Sequence, residues 1–132
     1  MSEKVKAVTA FIDENEDGLS YLIRINNLAK DTGADLVKAD LLQTDLERSF
    51  YETISNIDEI ALVNAADYKK ELENIQATAL VGNEYLDKTM INDENEEIKN
   101  NRLAMLNQVQ KRIARIFDIS QIVRSVSYTH LR

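Results

Sequence analysis

The chain has 132 residues, 44% hydrophobic and 30% charged, with a net charge of −7. It is too apolar for a disordered chain and long enough for one domain with a modest core. Three glycines, no proline and no cysteine argue against a turn-rich β architecture and exclude disulfide scaffolds and cysteine-ligated zinc.

The N-terminal Met1-Ser2-Glu3-Lys4-Val5-Lys6 is not followed by the apolar core of a signal peptide. No run approaches the roughly 18 apolar residues of a membrane span. A cytoplasmic location is the expectation. The first helical pattern runs from about Lys4 to Lys30, with Val5, Val8, Phe11 or Ile12, Leu19, Leu22, Ile25 and Leu28 on one stripe. Lys30-Asp31-Thr32-Gly33-Ala34-Asp35 ends it. Gly33 offers a left-handed C-terminal residue, and Asp35 an N-cap for the next helix.

From Asp35 to Met90 apolar residues recur in steps of three and four: Leu36, Ala39, Leu42, Leu46, Phe50, Ile54, Ile57, Ala61, Tyr68, Leu72, Ile75, Ala79, Leu86 and Met90. Residues so spaced share one face of a helix. As a single helix this stretch would be about 84 Å long, ordinary only in a coiled coil. Ser55-Asn56-Ile57-Asp58 and Asn64-Ala65-Ala66-Asp67 each resemble a capping box. A break at Asn64 divides the chain into four segments of similar length, as an up-down-up-down bundle requires. The polar Met90-Ile91-Asn92-Asp93-Glu94-Asn95-Glu96 marks the next break, with Asp93 as N-cap and Glu96 three residues on. The last helix carries Ile98, Leu103, Leu106, Val109, Ile113, Ile116 or Phe117, Ile119 and Val123.

The final residues Val126-Ser127-Tyr128-Thr129-His130-Leu131 are what GTC TCT TAT ACA CAT CTN encodes, one frame of a transposase adapter used in sequencing libraries. Residues 126–132 are therefore set aside as adapter read-through, and with them His130, the only histidine.

Charge is unevenly placed. Residues 1–98 carry a balance of −13 and residues 99–132 a balance of +6. The basic set Lys99, Arg102, Lys111, Arg112, Arg115 and Arg124 forms the candidate interaction surface. Its plainer role is to answer acidic neighbouring helices, with Arg112, Arg115 and Arg124 at the flanks and Ile113, Ile116 and Val123 inward. Loss of Arg112 or Arg115 would then cost roughly 0–1 kcal/mol. An acidic body disfavours non-specific binding to nucleic acid or anionic membranes.

Asp13-Glu14-Asn15-Glu16-Asp17-Gly18 matches the first half of an EF-hand calcium loop, with Asp13, Asn15 and Asp17 as ligands. Arg24 stands where that loop needs a bidentate glutamate, so tight calcium binding is not expected and no metal or cofactor is assigned. Tyr21, Tyr51, Tyr68 and Tyr85 fall on or beside the stripes, in core or rim positions with hydroxyls reaching water. Nucleophile elbows, glycine-rich phosphate loops and Glu-x-x-His pairs are missing. Ile119-Ser120-Gln121-Ile122-Val123-Arg124-Ser125 resembles the helix approaching the cytoplasmic hairpin tip of methyl-accepting chemotaxis receptors, and implies a signalling bundle.

The expectation is an all-α antiparallel bundle of four helical segments (4–30, 35–63, 65–90 and 93–125). Its rival has three helices with one long, coiled-coil-like middle helix. Residues 1–125 form a single domain, truncated at its C-terminus. The expected function is a non-enzymatic interaction or structural module, packing helix to helix with itself or a partner protein. The alternatives are a fragment of a chemoreceptor-like signalling bundle and a calcium-binding module.

Overall fold

The computed structural model describes residues 10–11, 16–30, 32–34 and 36–116. Among them there are helices and no strand: α1 (Glu16–Ala29), a 3-10 turn (Ala39–Leu41), α2 (Asp45–Ser55), α3 (Ala65–Gln76), α4 (Ala79–Lys88) and α5 (Glu96–Ala114). The all-α, four-segment expectation holds, with the third segment divided into α3 and α4. The long continuous middle helix is ruled out, because residues 56–64 are not helical. Residues 117–132 lie outside the described residues, and with them Val123, Arg124, the segment 119–125 and the 126–132 tail.

Helix ends follow side-chain chemistry. Gly33 does not take a left-handed conformation. The chain leaves α1 through Thr32, whose N–H donates to the Ala29 carbonyl at 3.0 Å and whose hydroxyl accepts from Ala34 N–H at 3.1 Å. The expected N-cap, Asp35, lies outside the described residues; residues 36–38 are not helical, and α2 begins at Asp45. Thr44 caps it by accepting from Glu47 N–H at 3.1 Å. Thr-x-x-Glu at 44–47 is a capping-box pattern, though the Glu47 carboxylate turns back to Gln43 N–H, 2.8 Å away. Ser55–Asp58 starts no helix, and Asn56 instead closes α2.

Asn64 behaves as its pattern suggested. It accepts from Asp67 N–H at 3.1 Å while Asp67 accepts from Asn64 N–H at 3.2 Å, a complete capping box. Asn95 caps α5, accepting from Glu97 N–H at 3.0 Å and Ile98 N–H at 3.3 Å. The expected cap, Asp93, lies two residues earlier and accepts from Asn95 N–H.

Cross-chain pairs give the directions of the helices. Gln110 meets Asn26, Asn107 meets Ala34 and Asn101 meets Lys38, so α5 runs antiparallel to α1. Tyr21 meets Thr78 and Arg24 meets Asn83, so α4 runs in the same sense as α1. These are the senses that the first, third and fourth segments of an up-down-up-down bundle would have. The core gathers Tyr21, Leu22 and Ile25 of α1, Phe50 and Ile54 of α2, Leu72 and Ile75 of α3, Tyr85 and Leu86 of α4, and Met105, Leu106, Val109 and Ile113 of α5. Ile113 and Ile116 face inward as expected. No described helix is long and apolar enough to cross a membrane.

Candidate functional site

The chemistry of the bundle concentrates in two buried carboxylates, each held by arginine from α5. Glu47 is fully buried near the start of α2. It sits three residues before Phe50 and seven before Ile54, on the face that must point inward. Its carboxylate accepts from Arg102 Nε at 2.8 Å, from the Tyr85 hydroxyl at 2.6 Å and from Gln43 N–H at 2.8 Å. Arg102 also donates to the Met90 carbonyl at 2.7 Å and reaches Asp93 at 3.4 Å. One guanidinium thus ties α5 to α2 and to the segment before its own N-terminus.

Tyr85 stacks on Phe50, with ring centroids 4.9 Å apart. Burial, then the hydrogen bond to Glu47 and its negative charge, push the Tyr85 hydroxyl well above the usual tyrosine range, against a smaller opposing effect of Arg102. Tyr21 is pushed up to about 12, chiefly by burial, with its bond to Thr78 acting the other way. Both rings take the core position, one of the two expected, but neither hydroxyl reaches water. Tyr51 and Tyr68 are partly buried against the core.

Glu71, on α3 one turn before Ile75, is also fully buried. Arg112 binds it at 2.8 Å and Arg115 at 3.3 Å. The same guanidiniums donate to the Asp58 carbonyl at 2.8 Å and the Ile60 carbonyl at 3.0 Å. Arg112 Nε is buried without a protein acceptor. These are not the loose flank charges of the sequence reading, for their carboxylate partner has no access to water.

The basic set is therefore scattered. Arg102, Arg112 and Arg115 are engaged with buried glutamates, Lys99 is half-buried and Lys111 is exposed. Of the calcium candidates, Asp13, Asn15 and the Asp17 side chain lie outside the described residues. Among the described residues no group of three or more His, Cys, Asp or Glu is placed to hold a metal ion. The surface carries two open grooves. One of about 270 Å³ lies between Leu36, Lys38 and Asn101, and one of about 290 Å³ between Asn56, Asp58, Lys70 and Asn74. Glu47 and Glu71 were absent from the sequence reading. The available signal was a lone carboxylate at a stripe position, four residues before Ile75 or three before Phe50.

The fold and its clamps define a helical bundle cross-braced by buried Arg–Glu pairs. No family model matches the chain, and no solved structure matches it. It is similar to curated proteins of one description, glycine–tRNA ligase beta subunit. The protein of Leuconostoc citreum is 29% identical over 126 residues, covering 93% of this chain and 18% of the relative. That of Clostridioides difficile is 32% identical over 113 residues, covering 84% and 16%. That of Lactobacillus acidophilus is 34% identical over 114 residues, again covering 84% and 16%. The chain thus spans under a fifth of the length of these relatives.

This likeness overturns the expectation of a non-enzymatic module, and with it the chemoreceptor and calcium alternatives, because the relatives are subunits of a ligase. The physical reason is one of scale. A span this short compared with the relatives need not carry the reacting groups of the whole, so their absence from the sequence was no evidence against an enzyme.

Proposed function

We propose that the chain is a helical portion of the beta subunit of a glycine–tRNA ligase, and that its parent protein takes part in attaching glycine to tRNA. The observation that supports this is similarity over 84–93% of the chain to relatives sharing that one description. A subunit described as beta implies a companion subunit as protein partner, and the cytoplasm is the compartment for such a reaction. Within this reading the bundle is a rigid body, because its two buried carboxylates are paired by groups from other helices.

Arg102 and Arg112 are largely buried and Arg115 is tied to Glu71, so Lys99 and Lys111 of α5 are the basic groups we place toward tRNA phosphates, with Arg124 of the sequence beyond them. Charge neutralisation of phosphates is the dominant attraction to RNA for a body that is otherwise acidic. The test is glycine attachment to tRNA by the full-length subunit with its companion, in the parent and in Lys99→Glu/Lys111→Glu. Glycylation by the parent is expected, with a raised KM for tRNA and an unchanged KM for glycine in the double variant. No glycylation by the parent overturns the ligase reading. Glycylation with tRNA kinetics unmoved by the double variant overturns the placement of the lysines alone.

A further inference from the structure

Residues 57–62 join α2 to α3 without helix or strand. Among the described residues they make no backbone–backbone hydrogen bond to each other or to any element. Their polar attachment is through two carbonyls, Asp58 and Ile60, which accept from Arg112 and Arg115. Both guanidiniums are in turn oriented by the Glu71 carboxylate. The connection is therefore held by side chains of α5 whose own geometry depends on one buried acid of α3.

The two ends of the connection are firm. Asn56 N–H closes α2 on the Glu52 carbonyl at 3.0 Å, and Val63 N–H joins the Asp67 carboxylate at 3.1 Å beside the Asn64 capping box. Between them Ile57, Ile60 and Leu62 are only partly buried, and Val63 is 77% exposed. Ile57, Asp58 and Ile60 line the 290 Å³ groove together with Thr53, Lys70 and Asn74. A segment with capped ends, few apolar anchors and no backbone ladder can open without unwinding its neighbours.

We propose that residues 57–62 are a strap latched shut by the Glu71–Arg112–Arg115 cluster, which swings from α5 as a unit and opens the groove while the bundle stays folded. The inference rests on the cluster's geometry and is independent of the ligase reading. Arg115 is the latch's outer member, its side chain 41% exposed, whereas Glu71 is sealed. Loss of either loosens the Ile60 carbonyl.

The test is limited digestion of the full chain by a glutamate-specific protease, following cleavage after Glu59, an exposed strap residue, in the parent, Glu71→Gln and Arg115→Ala. Helical circular dichroism reports folding alongside. Cleavage at Glu59 should be about tenfold faster in a folded variant, because proteolysis follows the population of the open form, with cleavage inside α1, α3 and α5 unchanged. Arg115→Ala decides the matter if Glu71→Gln does not fold. An unchanged rate at Glu59 in a folded Arg115→Ala chain overturns the proposal. So does a rise at Glu59 matched by equal rises within the helices, or loss of helix in both variants, since the cluster would then hold the bundle and not a separable strap.

Discussion

Replacing Gly82 by alanine adds one methyl group to the interior of α4. On an open helix surface this change stabilises by about 1 kcal/mol, because glycine loses more backbone freedom on folding. Here the methyl would meet Tyr21, with its centre 2.5 Å from the hydroxyl oxygen and 2.7 Å from Cζ. Tyr21 cannot retreat easily. It is fully buried, and its hydroxyl shares a 2.9 Å hydrogen bond with Thr78, whose own hydroxyl donates to the Ile75 carbonyl at 2.7 Å. Overpacking costs about 1–3 kcal/mol and a buried hydroxyl forced from its partner another 1–3. Setting the helix gain against these leaves Gly82→Ala destabilising by roughly 1–5 kcal/mol. Urea denaturation followed by helical circular dichroism measures it. In a Tyr21→Leu background, where the ring is gone, the same alanine should cost little or stabilise. A Gly82→Ala chain more stable than its parent would refute the close approach of α1 and α4 on which this rests.

Arg102→Ala should cost roughly 3–5 kcal/mol, because Glu47 stays buried with its charge partner removed, whereas Arg48→Ala, which loses an exposed pair with Asp45 and a long 3.5 Å bond to the Leu42 carbonyl, should cost about 0–1; denaturation midpoints of the two variants compare them. Ile113→Ala should cost about 2–5 kcal/mol as a buried truncation, and Arg112→Ala, by stripping a partner from sealed Glu71, should exceed the roughly 1 kcal/mol ceiling of a surface pair. Alkaline titration should find Tyr21 and Tyr85 holding their protons beyond the ordinary tyrosine value of 10, Tyr21 to about 12. The folded state then binds more protons than the unfolded state above pH 10, so stability is full below that pH and falls as pH rises. Tyrosinate absorbance that develops fully near pH 10 with the helices intact would contradict their burial.

What the sequence disclosed about the fold followed from local rules. Steps of three and four placed Phe50, Ile54, Leu72, Ile75, Val109 and Ile113 on core faces, and all are buried. The Asn64–Asp67 capping box marked a true helix start because both of its hydrogen bonds are made within four residues. Errors arose where an end is set by contacts from afar. The stripe Leu36–Leu42 has helical spacing, yet residues 36–38 are not helical and Lys38 is extended, held on both its N–H and its carbonyl by the Asn101 side chain of α5. Sixty-three residues separate those partners, and no periodicity records such a tie. The α3–α4 corner at Ala77-Thr78 has neither glycine nor proline. It turns where Thr78 bonds to Ile75 and Tyr21, and threonine is too common to announce this.

The arginines show the same limit in electrostatic form. By count, a tail of +6 beside a body of −13 suggested complementary flanks, each pair weak and screened. A sum of charges contains no distances, and burial decides the energy. Arg112 and Arg115 converge on one carboxylate with no solvent access, and Arg102 on another. Removing a partner there leaves a charge unpaired in a medium that solvates it poorly, which costs several times what an exposed pair contributes. Glu47 and Glu71 were visible as acids in apolar positions, and that conflict between residue and face marks a buried carboxylate obliged to find a cation. With the clamps closed, the guanidiniums of Arg102, Arg112 and Arg115 are spent on the bundle's own architecture.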